Sequence, residues 1–180
     1  VTFTDNHVRM GTIAGAGAVG SHLVSIGYGA GEETSSDYRV SIGYQAGSDA
    51  KTTQAAADVC IGRYAGQYAS GAYPGTIIAV GLMAGYSSNG RNGIYMGEGA
   101  GNGVSSNYGI SLGYYAGSAA DGDENIFIGK SAGYNVKNGS DNNIYIGMYA
   151  GNNADGSNNI EVVSHGAAVV SPLDGVSQRL

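Results

Sequence analysis

Glycine recurs along this chain on a fixed beat, as the fourth and eighth residues of one pattern: apolar, any, apolar, Gly, any, any, Ala, Gly. Clean copies run Val24 to Gly31, Val40 to Gly47, Val59 to Gly66, Ile78 to Gly85, Ile94 to Gly101, Ile110 to Gly117, Ile126 to Gly133 and Ile144 to Gly151. A poorer copy spans Val8 to Gly15, and a decayed one Ile160 to Ala167. The first glycines fall at 11, 27, 43, 62, 81, 97, 113, 129 and 147, with Val163 in the equivalent place of the last copy. The step is 16 residues, stretched to 19 twice and to 18 once. A fixed period of this kind marks a repeat architecture and takes precedence over any other fold signal.

Each unit reads as a short strand and a turn. Aliphatics at i and i+2, such as Ile144 and Ile146, share one face of a strand because side chains alternate. These are expected to face the interior. The residue between them is expected to point outward, at Ser25, Ser41, Cys60, Ala79, Tyr95, Ser111, Phe127 and Tyr145. The first glycine ends the strand, the alanine re-enters a tight interior, and the second glycine turns the chain away. Turn pairs Asn89-Gly90, Asp121-Gly122, Asn138-Gly139 and Asp155-Gly156 punctuate the loops. Few stretches of even ten residues lack a glycine, which leaves no room for a stable helix.

The expected fold is all-β: a parallel β-solenoid or β-roll of about ten 16-residue coils. Neighbouring strands lie about 4.8 Å apart, so the rod is roughly 50 Å long. The repeat domain covers 1–167 and a non-repeat C-terminal tail covers 168–180. Two aliphatics and an alanine per coil make a thin core, and scaffolds short of core recruit partners. Several chains sharing one apolar axis would supply it, either intertwined or side by side. A parallel homotrimer is the simplest closed arrangement, although the spacing does not fix the number.

Composition narrows the function classes. Glycine fills 33 of 180 positions and charged residues only 12%. With 14 acids against 8 bases and a net charge of −6, a nucleic-acid partner, which needs clustered Lys and Arg, is not expected. No apolar run approaches the 18 or so residues of a membrane helix, and no basic start followed by an apolar stretch looks like a signal peptide. Val1 rather than Met opens the chain, as expected of a processed or excised piece. The single cysteine, Cys60, excludes an intrachain disulfide framework and reads as an inert small residue.

Catalytic and cofactor constellations are not expected. Gly15-Ala16-Gly17-Ala18-Val19-Gly20 matches the dinucleotide fingerprint, but it leads into the repeat copy at Val24 rather than the required helix. His7, His22 and His165 sit at or near the two ends, away from any nucleophile or metal set. Asp121, Asp123 and Glu124 read as a solvated turn, without EF-hand spacing for calcium. No cofactor or metal is expected, and the chain does not read as an enzyme.

Binding is the better expectation. There are 14 tyrosines and no tryptophan, most at outward or loop positions such as Tyr28, Tyr44, Tyr64, Tyr114, Tyr115 and Tyr149. Tyrosine offers flat apolar area with a polar tip and suits sugar faces, or else stacks in ladders that stabilise the coils. Repeat proteins place insertions on a binding face. The stretched loops Ser48 to Asp58 and Gln67 to Ile77 belong to consecutive coils, and a third runs Tyr134 to Asn143. The first two present Lys51, Thr52, Thr53, Gln54, Gln67, Tyr68, Tyr73 and Pro74. Candidate ligand residues are therefore Gln54, Gln67, Tyr68, Tyr73 and Tyr134.

Copies such as Asn143-Ile144-Tyr145-Ile146-Gly147-Met148-Tyr149-Ala150-Gly151 resemble the Ile-Gly-x-x-Ala-Gly arrays of bacteriophage tail fibres. They are more distantly similar to the head repeats of trimeric autotransporter adhesins. The resemblance covers about Val8 to Ala167. It implies a trimeric, parallel β rod displayed outside a virion or cell, in contact with a host receptor such as a bacterial surface polysaccharide. It also implies a self-cleaving C-terminal chaperone, of which Ser171 to Leu180 would be the stub. The alternative is a purely structural shaft that spaces a separate tip. Two further alternatives fit less well. An ice-binding solenoid would present threonines in register, and a depolymerase would need two acids about 5–9.5 Å apart in a groove.

Overall fold

A computed structural model describes residues 2–4, 6–35, 37–50, 58–70, 76–164 and 167–172. Twelve strands form one sheet in sequence order: β1 (Thr2–Thr4), β2 (His7–Met10), β3 (Val24–Ile26), β4 (Val40–Ile42), β5 (Val59–Ile61), β6 (Ile78–Val80), β7 (Ile94–Met96), β8 (Ile110–Leu112), β9 (Ile126–Ile128), β10 (Ile144–Ile146), β11 (Asn159–Ser164) and β12 (Ala167–Pro172). β2 to β11 are parallel, each paired with the next, and the pairing follows the repeat without a slip: Val8 opposite Val24, Val24 opposite Val40, Val40 opposite Val59, and so to Ile144 opposite Ile160. The chain is a β-solenoid, and the stretched steps are absorbed in the loops. Both ends of the sheet close with an antiparallel partner, β1 on β2 and β12 on β11. β12 runs across the junction between repeat and tail at 167 and 168.

The loops stack as regularly as the strands. Gly43 donates its N–H back to Ile26 of the preceding coil, and Gly47 donates forward to Ala65 of the following one. Coil-to-coil hydrogen bonds thus run in both directions and leave little backbone unpaired. The two repeat glycines are required for different reasons. At Gly97 φ is +128°, and a Cβ would sit 2.6 Å from the carbonyl oxygen of Gly113 in the next coil. At Gly31 φ is +63°, and a Cβ would sit 2.6 Å from Ser25 Oγ inside the coil. Close backbone approach fixes the first, and a narrow interior fixes the second.

That narrow interior reverses the expected facing of the strands. The middle residues Ser25, Ser41, Cys60, Ala79, Tyr95, Ser111, Phe127 and Tyr145, expected outside, are all buried. The aliphatics expected inside form two rows on the outer face: Met10, Ile61, Met96, Ile128 and Ile146 are exposed and most of the others half-buried. The alternation itself holds. The space behind each strand is closed by the alanine and second glycine of the turn, and it accepts the strand's middle residue. Fully buried alanines at 30, 46, 65, 84, 100, 116, 132 and 150 line the opposite wall.

Polar ladders complete the interior. Asn125 Nδ2 donates to the carbonyls of Gly122 and Ser140, and its Oδ1 accepts from the Asn143 N–H at 2.9 Å. Asn143 repeats the motif: its Nδ2 donates to Gly156 and its Oδ1 accepts from the Asn159 N–H. Further toward the N-terminus, Arg39 and Asp58 form a buried ion pair, with Asp58 Oδ1 also accepting from the Ile77 N–H and Arg39 donating to the Gly47 carbonyl. The Gly47 carbonyl and the Ile77 N–H thus add a backbone hydrogen bond to each partner, which offsets part of the cost of burying the pair.

Candidate functional site

The flank formed by the glycine-rich turns carries the exposed tyrosines. Tyr28 and Tyr44 stack at 5.2 Å between ring centroids, and Tyr44 meets Tyr64 edge-on at 5.5 Å. The Arg63 guanidinium lies 4.8 Å over the Tyr64 ring and 5.8 Å from Tyr44, and Arg63 donates a hydrogen bond to the Tyr64 hydroxyl. Lys130 sits in the same way between Tyr114 and Tyr149, 5.8 and 5.9 Å from their centroids. Tyr28 and Tyr44, at equivalent positions of successive coils, therefore stack along the rod, and Arg63 and Lys130 take that position in two coils that lack the ring.

One concavity interrupts this flank. Gln45, Tyr64, Gln67, Tyr68, Met83 and Tyr86 enclose a groove of about 280 Å³, open to solvent. Tyr68 and Tyr86 face each other edge-on at 5.6 Å and form one wall. Gln67 is buried, and its Nε2 donates to Ser48 Oγ at 3.0 Å, which fixes the amide against the floor. The backbone holds the ring walls in unusual conformations: Tyr64, Tyr68, Gln45 and Met83 all have φ between +49° and +59°. Such left-handed positions are uncommon for bulky residues and persist only where surrounding structure imposes them. Here the coil-to-coil hydrogen bonds do so, with Tyr64 N–H on the Tyr44 carbonyl, Tyr68 N–H on Ser48 and Met83 N–H on Arg63.

Of the five candidate ligand residues, Gln67 and Tyr68 meet in this groove. Tyr134 is exposed on a coil four strands further along, between β9 and β10, and takes no part in it. Gln54 and Tyr73, with Lys51, Thr52, Thr53 and Pro74, lie outside the described residues. The flanks of the first two insertions do sit on adjacent coils, joined by the Gln67 to Ser48 and Ile77 to Asp58 contacts. Gln45, Met83 and Tyr86 carry no signal in the sequence because they belong to ordinary-length turns. Their positions opposite Gln67 and Tyr68 follow only from the coil register.

The remaining sequence candidates among the described residues take structural places, and His165 lies outside the described residues. Gly15 to Gly20 lies in the turn and loop before β3, not before a helix. Asp123 accepts from the Asn107 N–H and side chain, and Asp123 N–H donates to Asp141, in a ladder of side chains capping the backbone of the preceding coil. Asp37 plays the same part, and the N–H and hydroxyl of Ser21 hold its carboxyl below the ordinary value. His22 stacks on Tyr38 at 4.7 Å, while His7 contacts Arg9. Cys60 is enclosed, and burial pushes its thiol up to about 12, with Arg39 opposing in part. Such a thiol stays protonated and unreactive near neutrality.

The fold and flank define a class, a parallel β-solenoid with an aromatic side and an unusually apolar outer sheet. Comparison with protein-family models, curated proteins and solved structures gives no match to this chain.

Proposed function

We propose that this chain is a fibre segment of the tail-fibre or surface-adhesin kind, in which parallel copies pack through their sheets into a homotrimeric rod. The flanks of that rod engage a bacterial surface polysaccharide, and the chain works outside the virion or cell without catalysing a reaction. The observation that carries this reading is the outer face of β2 to β11. One row runs Val8, Val24, Val40, Val59, Ile78, Ile94, Ile110, Ile126, Ile144, Ile160, and the other Met10, Ile26, Ile42, Ile61, Val80, Met96, Leu112, Ile128, Ile146, Val162. Neither row holds a polar residue. A soluble chain on its own rarely presents a contiguous apolar surface beyond a few hundred Å², and larger ones mark interfaces.

A partner for this face must be flat and apolar along roughly 45 Å. A second copy with the same coil spacing meets that requirement along its whole length, and a closed threefold arrangement lets every copy bury its sheet against two others. The turn flank, with its tyrosines and groove, then remains outside. The Tyr28, Tyr44 and Tyr64 stack supports a second reading, a bare shaft, because rings that satisfy one another stabilise the rod without any ligand.

Binding of the labelled chain to encapsulated and acapsular bacterial cells separates the two. The adhesin reading predicts adherence that the purified surface polysaccharide competes away. No adherence would favour the shaft, and adherence that the polysaccharide leaves unchanged would contradict the polysaccharide reading.

A further inference from the structure

We infer that the groove of Gln45, Tyr64, Gln67, Tyr68, Met83 and Tyr86 is a subsite for a neutral pyranose ring of an extended glycan; the inference rests on the polysaccharide-binding reading and assigns that binding a place. Three features select this chemistry. The walls are aromatic faces and edges with hydroxyl tips, the combination that accepts the apolar C–H face of a sugar while meeting its hydroxyls. The floor carries side-chain amides, which both donate and accept, as hydroxyl ligands require. The volume of about 280 Å³ lies at the small end of ligand sites, suited to a ring rather than to a peptide or lipid chain.

Charge decides between neutral and acidic sugars. Arg63, on the coil of Tyr64, is turned onto the Tyr64 and Tyr44 rings rather than into the groove. In the row of turn positions that contains Tyr68, the two preceding coils carry Asp49 and Glu33, linked to it through the Tyr68 to Ser48 and Asp49 to Glu32 backbone bonds. Carboxylates there repel an anionic polymer passing along the flank. Tyr64 belongs both to the groove and to the row of Tyr28, Tyr44 and Tyr64, so a chain of rings can continue along the rod beyond the groove.

The repeat supplies clean variants. Asn tolerates the left-handed backbone of Tyr68, and the equivalent turn position holds Asn135 and Asn153 at φ of +55° and +56°. The position of Tyr86 holds Asn102 and Asn152 in other coils. Tyr68→Asn and Tyr86→Asn therefore remove rings without disturbing the coil, and Tyr108→Asn, at an exposed position held by Asn142 and Asn158 in other coils, is the matching control outside the groove.

Calorimetric titration of the full chain with cellohexaose, laminarihexaose, maltohexaose and a β-galactan hexasaccharide, and with hexagalacturonate as the acidic counterpart, tests the assignment. The expected result is binding of at least one neutral hexasaccharide and not of hexagalacturonate. Each groove variant should weaken that binding about tenfold, with Tyr108→Asn unchanged and circular dichroism intact in all three. Binding of a neutral sugar unaffected by the groove variants overturns the site but keeps the polysaccharide reading. Preference for hexagalacturonate overturns the neutral class. Binding of no hexasaccharide overturns the site and, with adherence that the purified surface polysaccharide leaves unchanged, the polysaccharide reading as well.

Discussion

The two halves of the solenoid fill the same interior with opposite inventories. From β3 to β6 the residue before each strand is large and the strand's middle residue small: Leu23 with Ser25, Arg39 with Ser41, Asp58 with Cys60, Ile77 with Ala79. From β7 the order reverses, with Gly93 before Tyr95, Asn125 before Phe127 and Asn143 before Tyr145. A methyl group on Gly93 would collide with the Tyr95 hydroxyl, so the small residue is the condition for the large one. At β8 both positions are small, Gly109 and Ser111, and the neighbouring Phe127 ring leans in to fill the space beside Gly117. Interior volume is therefore exchanged between two positions of a coil, as in Leu23 with Ser25 against Gly93 with Tyr95, and at β8 with the neighbouring coil. Close packing demands this, because a void or an overfilled coil would propagate to both neighbours.

The halves should respond differently to the same insults. Asp58→Ala, in the first half, strands Arg39 in the interior and should cost about 3–5 kcal/mol, read as a fall in the urea midpoint. Tyr95→Ala, in the second, empties one of the largest interior side chains and should cost about 3–4 kcal/mol by the same measurement. Ser25→Tyr alone should overfill its coil, whereas Leu23→Gly with Ser25→Tyr rebuilds the second-half arrangement in the first. The double variant should recover about 1–3 kcal/mol relative to the sum of the singles. Additive singles would mean that the exchange of volume between the two positions is incidental. The smallest effects belong to Ser41→Ala and Tyr95→Phe. Both remove a buried hydroxyl without a hydrogen-bond partner and should leave stability unchanged or raised by up to about 1 kcal/mol.

The period and the parallel register were legible from residue spacing, since each follows from a local geometric need. The facing of the strands was not. Alternation tells that Ile144 and Ile146 share a side, and only the enclosed volume tells which side; the usual rule puts aliphatics in the core of their own chain. A signal was present in the first half, where Ser25, Ser41, Cys60 and Ala79 are all small, as a narrow interior requires. Tyr95, Phe127 and Tyr145 hid it, because the room for them comes from glycines that only the folded coil brings beside them, Gly93 at Tyr95, Gly133 at Phe127 and Gly151 at Tyr145. The groove was half legible: the insertions pointed to Gln67 and Tyr68, but the walls from neighbouring coils required the stacking of loops.

The outward facing of the aliphatics is the central claim, because a rod with this face has to be covered. Light scattering or native mass spectrometry of the folded chain tests it directly, against the same measurement on a variant carrying Ile94→Lys and Ile110→Lys on the outer row. The prediction is a species of three times the 18.1 kDa chain mass that dissociates in the variant. A stable, soluble wild-type monomer of 18.1 kDa would contradict it.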